Sequence, residues 1–403
     1  MKNKILLLTN IYTEPEVTLL NTTNVCHYFA KEWVEMGYEV KVIYNYHIYA
    51  RILHFIANFF EKIIASSAVS VVNTIRTTKS KKYVLDGVTI NKFPIFKALP
   101  RTKFPKKSID KQIEKIVQSN KKDGFKPDLI IGHFHNPNLV LVNLLKNIYS
   151  VKTCVILHGD TTNVKKFYSK DYINLINNID VWGYRSRGIG EEFEKKYGVR
   201  PKSFICYSGI PESIVANSKA KSISGPIKNF IYVGSLIKRK HPISLVRALN
   251  IAYPKKNFSL TFIGEGSEKK KIIKTSKELS ISSNVNFSGH LTRDLVTENI
   301  ETSDCFIMIS ESESFGLVYL EAMAKGCITI GSRNEGIDGV IVHGENGFLC
   351  ESGNYKELAE LIKQINNLSI SEKNKISLNA IETAKNLTDF KAAKKYVDTV
   401  IKI

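Results

Sequence analysis

Short apolar runs recur along this chain, each followed by a polar loop and then by apolar residues at helical spacing. That alternation constrains the fold more than any other feature. Strands separated by amphipathic helices build a parallel sheet with helices on its faces, not a meander of hairpins. The series opens with Lys4–Leu8. Asn24–Met36 follows at helical spacing, with Gly37 where a C-cap glycine belongs, and then the strand-like Glu39–Tyr44. This is a βαβ unit, for which a right-handed crossover is expected. Asp128–Ile131, Thr153–Leu157 and Val181–Tyr184 continue the pattern.

At 219–228 the composition turns to KAKSISGPIK, which reads as a linker. A second series follows, with strands at Phe230–Val233, Ser259–Ile263, Val285–Phe287, Cys305–Ile309 and Cys327–Ile330. Helices are expected at Pro242–Ala252, Ser267–Leu279 and from near Gly316, with a helical tail over Asn354–Ile403. Two doubly wound, Rossmann-like sheets in series suit 403 residues at roughly 100–200 per domain. Ligands of such sheets bind beyond the carboxyl ends of the strands, so a cleft between the domains is the expected site.

With 43% hydrophobic and 24% charged residues, the chain is not a disordered one. Six scattered cysteines without a CxxC pair exclude a zinc ribbon or a redox dithiol and fit a reducing compartment. The apolar run at the start stops at Asn10, short of a signal peptide, and no stretch reaches the ~20 apolar residues of a membrane span. A soluble, cytoplasmic protein is expected. The abnormal quantity is a net charge of +20, concentrated between Arg51 and Lys122, where 16 Lys and Arg face 4 Asp and Glu. Such a stretch suits nucleic acid, anionic lipid or a phosphorylated substrate, unless it is simply a solvated face.

Within it, IYARILHFIANFFEKII (48–64) places Ile48, Ile52, Phe55, Ile56, Phe59 and Ile63 on one helical stripe. An amphipathic helix is expected, packed either on the domain core or in a membrane interface.

The chemistry concentrates in DCFIMISESESFGLVYLEAMAKG (304–326). A strand ends at Ile309, the loop SESES follows, and a helix opens around Phe315–Gly316. Free amides at a helix start hold anions, phosphate above all, and Gly316 lets a ligand approach the backbone. Glu313 and Glu321, eight apart, can both reach such a ligand. Carboxylates beside a phosphate should accept from hydroxyls, so a diphosphate with two polyol ends fits: a nucleotide sugar.

ESFGLVYLEAMAKG resembles the signature of the retaining glycosyltransferases of family 4, of GT-B architecture. FIYVGSLIKRKHPISLVRAL (230–249), FIGEGSEKKKI (262–272), FSGHLTRDL (287–295) and HGENGFL (343–349) resemble further family segments in family order. In the first half, DLIIGHFHNP (128–137), VILHGD (155–160) and CYSGIPES (206–213) resemble their counterparts. The resemblance implies two Rossmann-like domains facing a cleft. The expected divisions are an acceptor-side domain at 1–218 with a basic, amphipathic insertion at about 48–122, the linker 219–228, a nucleotide-sugar domain at 229–385, and a C-terminal helix, 386–403, returning to the first domain.

By that resemblance Glu313 contacts donor sugar hydroxyls and Glu321 the ribose, and the amides of Phe315, Gly316, Leu317 and Val318 face the sugar and distal phosphate. Lys240 neutralises the leaving diphosphate, with Arg239, Gly234, Ser235 and Gly264 around it. His290 and Leu291 touch the base, and His158 lies near the donor sugar. The catalytic set is therefore Lys240, Glu313 and His158. Two departures stand out: Ser235 occupies a place where the family usually has Arg, and the loop YTEPEVTLLN (12–21) lacks the family's glycines. His133 and His135 share a strand face, but no third ligand is in sight and the family needs neither metal nor cofactor.

The implied partners are a UDP- or GDP-sugar, a lipid-linked saccharide acceptor of surface-polysaccharide assembly (capsule, O-antigen or exopolysaccharide), and an anionic membrane surface at the inner face of the cell membrane. Nucleic-acid binding is the alternative that the charge suggests, but no zinc finger or RNA-recognition motif accompanies it. A glycosidase has no use for a phosphate cradle, and a dinucleotide oxidoreductase would show GxGxxG after its first strand.

Overall fold

The first strand, KILLLT, is buried along nearly its whole length, as a strand covered by helices on both faces must be. A computed structural model of the protein describes residues 3–14, 24–54, 76–100, 102–159, 164–168, 171–216 and 218–403. These form two units: unit 1 is Met1–Arg185, Ile189–Cys206 and Ala393–Ile403, and unit 2 is Ser186–Gly188 and Tyr207–Ala392.

Unit 1 is built on β1 (Lys4–Thr9), β2 (Glu39–Ile48), β3 (Lys81–Leu85), β4 (Val88–Phe96), β5 (Leu129–His133), β6 (Lys152–Leu157), β7 (Val181–Tyr184) and β8 (Ser203–Ile205). Their spatial order is β3-β4-β2-β1-β5-β6-β7-β8. Every pairing is parallel except β3 with β4, a hairpin closed by Asp86 and Gly87, both at positive φ. The helix Val25–Glu35 buries Phe29, Ala30 and Trp33 and ends before Gly37 at φ +94°. The helix Asp389–Lys402 gives unit 1 its last turns: Trp33 Nε1 donates to the Ala393 carbonyl at 2.9 Å, and the Tyr396 ring packs edge-on against Phe29 and Trp33.

Two expectations change here. The basic stretch expected as an insertion at about 48–122 contributes β3 and β4 to the sheet itself, with β4 parallel to β2 over eight residue pairs. Its lysines hid the strand: Lys92 is buried against Glu14 at 2.6 Å, and Lys82 pairs with Asp123 at 2.8 Å. The amphipathic helix expected over 48–64 does not begin at Ile48, which ends β2. A helical turn spans 51–54, and 55–64 lie outside the described residues, as do 15–21 of the YTEPEVTLLN loop.

Unit 2 has six parallel strands, β9 (Asn229–Val233), β10 (Ser259–Ile263), β11 (Val285–Gly289), β12 (Cys305–Ile307), β13 (Ile328–Ser332) and β14 (Phe348–Cys350), in the order β11-β10-β9-β12-β13-β14. The helices Pro242–Ala252, Lys269–Glu278, Arg293–Thr302 and Leu317–Ala324 connect them. The helical tail consists of three helices: Tyr355–Asn367, Ile370–Lys385 and Asp389–Lys402. Ser369 and Glu372 form a capping box at the start of the second. KAKSISGPIK is not a free linker. Ile223 and Ile227 are buried in the unit 2 core, and their N–H groups donate to Asn374 and Asn366. The chain passes to unit 2 at Tyr207 instead. No helix among the described residues is long and apolar enough to cross a membrane.

Candidate active site

The unit 2 residues picked out by sequence gather at the carboxyl ends of β9, β10, β11 and β12. Gly234 follows β9 at φ +150° and Gly264 follows β10 at φ +131°. A Cβ on Gly264 would stand 2.2 Å from the Gly234 carbonyl oxygen, so the two loops pack backbone on backbone. Ser235 accepts from the Tyr232 hydroxyl through its carbonyl, and the chain then turns through Lys238–Lys240 into the helix Pro242–Ala252. That turn brings the Lys240 ammonium over Gly234, within 3.3 Å of where a Cβ would stand.

Lys240 Nζ is 3.2 Å from Glu313 Oε2, and Arg239 Nη1 is 3.5 Å from the same oxygen. Glu313 and Lys240 are each 14% exposed, so the charges compensate one another in a largely desolvated place. Yet Glu313 Oε2 has no well-directed hydrogen bond among the described residues. Its acceptor capacity is neutralised electrostatically without being spent, which suits a carboxylate that is to receive hydroxyl donors. Arg239 also braces the SESES loop: its carbonyl accepts from the Glu311 N–H at 2.7 Å, and its guanidinium reaches the Glu311 and Ser312 carbonyls at 3.4 and 3.5 Å.

The loop is held from its other side by a residue the sequence did not reveal. Glu335 accepts from the Ser312 N–H at 2.9 Å and from the Glu313 N–H at 2.8 Å, and the Gly336 N–H donates to the Glu313 carbonyl at 2.8 Å. Burial pushes the Glu335 carboxyl up, against the pull of those two N–H groups. Gly336 is required for contact alone: a Cβ there would meet the Phe315 nitrogen at 2.4 Å.

Gly316, at φ +79°, stands before the helix Leu317–Ala324, whose first turn has no side-chain cap. A Cβ at Gly316 would strike the Tyr319 ring, whose hydroxyl anchors the helix by donating to the Met308 carbonyl. Phe315 is buried, and Leu317 and Val318 pack on the core, so this segment can offer a ligand only backbone. The helix start is positively polarised, and Lys240 and Arg239 lie at the same loop. Together they concentrate positive potential beside a carboxylate, the chemistry that an anionic group with hydroxyls would fit.

Residues 216–385 match the family model described as Glycosyl transferases group 1. The matched segment lies wholly within unit 2. The chain is 29% identical over 293 residues to N-acetyl-alpha-D-glucosaminyl L-malate synthase of Bacillus anthracis, a match covering 69% of this chain and 73% of that protein. It superposes on the lipopolysaccharide outer core galactosyltransferase WaaB with a TM-score of 0.69, at 16% identity and 99% coverage of both chains. Anabaena HepE, solved in complex with UDP, gives 0.68 at 17% identity and full coverage of both. The fold is GT-B, with two Rossmann-like units, and the enzyme class is glycosyltransferase.

On the other flank of the unit 2 site, Glu321 Oε1 binds Arg293 Nη2 at 2.6 Å. Arg293 is 44% exposed and opens the helix after His290 and Leu291, so the ion pair joins the loop expected at the base to the helix expected at the ribose. Nothing local marked Arg293 as Glu321's partner, which already occupies one oxygen of this carboxylate. His290 is exposed beside Gly289, which turns the chain at φ +66°, and Leu291 is half-buried against the core.

His158 belongs to unit 1, at the end of β6. Its Nε2 is 2.8 Å from His133 Nδ1, its ring stacks on Phe134 with centroids 3.9 Å apart, and His133 Nε2 lies 3.2 Å from the Tyr396 hydroxyl. Burial pushes both imidazoles down, His133 to about 3, so the pair is neutral at physiological pH. One His133 nitrogen faces His158 and the other Tyr396. His133 therefore positions His158 and has no nitrogen left for a metal.

Proposed function

We propose that the protein is a retaining glycosyltransferase of family 4 that moves a sugar from a UDP- or GDP-sugar to a hydroxyl of a lipid-linked saccharide, in assembly of a surface polysaccharide. The observation that carries this reading is Lys240 and Arg239 converging on Glu313 beside an uncapped helix start, with Glu321 farther along the same helix. Lys240 takes the charge that grows on the leaving diphosphate. Glu313 receives sugar hydroxyls, Glu321 the ribose diol, and His158 a further sugar hydroxyl.

Retention by double displacement needs a carboxylate nucleophile on the sugar face opposite the leaving group. Glu313 is held by two cations instead. The reading therefore takes a same-face path: the anomeric carbon–phosphate oxygen bond breaks, the acceptor oxygen bonds that carbon from the same side, and its proton passes to the departing phosphate oxygen. It uses no metal ion and no cofactor.

UDP in the solved structure of HepE and the lipopolysaccharide work of WaaB support the donor and the pathway. For a place at the inner membrane face, the support is the exposed Ile52, Phe96 and Leu99 among exposed Arg51, Lys103, Lys106 and Lys107. Nucleic acid is not a partner in this reading.

The test is thermal shift against UDP-, GDP-, ADP- and dTDP-sugars, with and without EDTA, alongside Glu321→Ala. The expected result is stabilisation by one nucleotide that survives EDTA and weakens in the variant. Silence toward every nucleotide, with salt-sensitive binding of RNA or DNA, would overturn it.

A further inference from the structure

Five lysines are buried among the described residues: Lys41, Lys92, Lys97, Lys325 and Lys373. Four of them have an oxygen partner. Lys41 binds Asp123, Lys92 binds Glu14, Lys325 binds Glu301, and Lys373 donates to the Asn366 and Gly225 carbonyls. Lys97 is 4% exposed and has no hydrogen-bond acceptor or carboxylate among the described residues. Its ammonium lies 4.8 Å from the Phe104 ring centroid and 5.8 Å from that of Phe167. Aromatic faces attract a cation but offer no lone pair to its three N–H groups.

The surroundings repeat the deficit. His47 packs edge-on against the same Phe104, centroids 5.1 Å apart, and its Nε2 is buried without a partner. Burial together with the Lys97 charge pushes His47 down to about 3, and burial alone brings Lys97 to about 8. His135 closes the group, 5.4 Å from Phe167, which is only half-buried and gives the notch a solvent side. Lys97 follows the last residue of β4, and its N–H donates to the carbonyl of Ile48, the last residue of β2. The notch therefore lies on the carboxyl edge of the parallel sheet that also carries His133 and His158, where doubly wound folds take their ligands.

We infer that the Lys97–His47 notch binds an anionic group, carboxylate or phosphate, on the molecule that accepts the sugar. An entering anion supplies the lone pairs that Lys97 lacks, and His47 can present its Nε2 as an N–H donor. The inference rests on the glycosyltransferase reading only in calling that molecule the acceptor. An acidic hydroxy acid and the diphosphate of a lipid carrier share this chemistry.

Isothermal titration of the full chain with sodium pyrophosphate and with L-malate, at constant ionic strength, tests it. The titrations are repeated in Lys240→Ala, which removes the donor-side cation, in Lys97→Met and in Lys97→Arg. The expected result is a saturable response that persists in Lys240→Ala, weakens about tenfold or more in Lys97→Met and is largely kept in Lys97→Arg. A response to pyrophosphate alone assigns the notch to a phosphate, and to L-malate alone to a carboxylate. Lys97→Met should also unfold at a higher temperature, because it removes a buried charge that no described carboxylate compensates, at nearly constant volume. An equal response in Lys97→Met, no saturable response in the parent chain, or a lowered unfolding temperature in Lys97→Met would overturn the inference. Nucleotide stabilisation, read on the same samples, separates its failure from failure of the donor-site reading.

Discussion

The two sheets end in cations of opposite circumstance. At the carboxyl end of the unit 2 sheet, Lys240 and Arg239 already face Glu313, and Glu335 fixes the loop that carries it. At the carboxyl end of the unit 1 sheet, Lys97 is more deeply buried and, among the described residues, its ammonium faces the rings of Phe104 and Phe167. The difference separates a site assembled in advance from one that stays electrically incomplete. Preorganised charge stabilises a transition state without reorganising at the moment of reaction, whereas an unmatched charge favours whatever anion arrives to match it.

Removing the assembled cation should have the largest effect. Lys240→Ala is expected to lower kcat by about 10²–10³-fold in a donor-consumption assay while the unfolding midpoint hardly moves; a change of only a few-fold would place the leaving-group charge elsewhere.

Acid should divide the units next. His47 and His133 are held neutral in unit 1 with folded values of about 3, below the 6.5 of an unstrained imidazole. The unfolded chain therefore binds more protons, and stability falls as pH drops from about 6.5 toward 3, by about 1 kcal/mol per pH unit for each buried imidazole. In unit 2, His241 is also pushed down by burial, but Glu311 at 3.7 Å opposes the shift. Hydrogen exchange at pH 5 should thus show unit 1 amides losing protection before those of unit 2; simultaneous loss would erase the contrast.

Gly264→Ala comes third. With φ at +131° and the Gly234 carbonyl 2.2 Å from the new carbon, it should cost about 2–3 kcal/mol, read as a lowered denaturant midpoint. Glu335→Ala should cost about 1–3 kcal/mol of loop ordering, seen as a donor KM raised about tenfold with a smaller change in kcat. Arg293→Ala should have the smallest effect, because the ion pair is exposed on the arginine side and such pairs contribute about 0–1 kcal/mol. A few-fold change in nucleotide affinity, of either sign, is the expected reading.

What the sequence disclosed and what it hid follow the same division. Glu313, Glu321, Gly316 and Lys240 sit in contiguous strings whose spacing is itself the chemistry, so they can be read one turn at a time. Glu335 and Arg293 act on that site from segments distant in sequence, through hydrogen bonds that only the folded chain creates. The unit 2 strands were legible because they are short, apolar and separated by helices. In unit 1, VTINKFPIF hid β4 behind a lysine and a proline, although a lysine can bury its stem and carry its charge to a partner. Counting charge by sequence likewise treated Lys82, Lys92 and Lys97 alike. The fold pairs two of them with carboxylates and gives the third no such partner among the described residues.

The helix that completes unit 1 has a consequence for how the protein is made. Tyr396, Val397 and Val400 are all buried, and Trp33 spends its indole N–H on Ala393. These late residues belong to the unit that begins first, with the whole of unit 2 encoded between. On the ribosome, domains fold as their residues emerge. Here the second unit can close its core while the first still shows solvent the groove around Trp33 and Phe29. The unit begun first is finished last, so a chain truncated within the helix Asp389–Lys402 would carry an intact unit 2 and an unsealed unit 1, a natural target for proteolytic clearance.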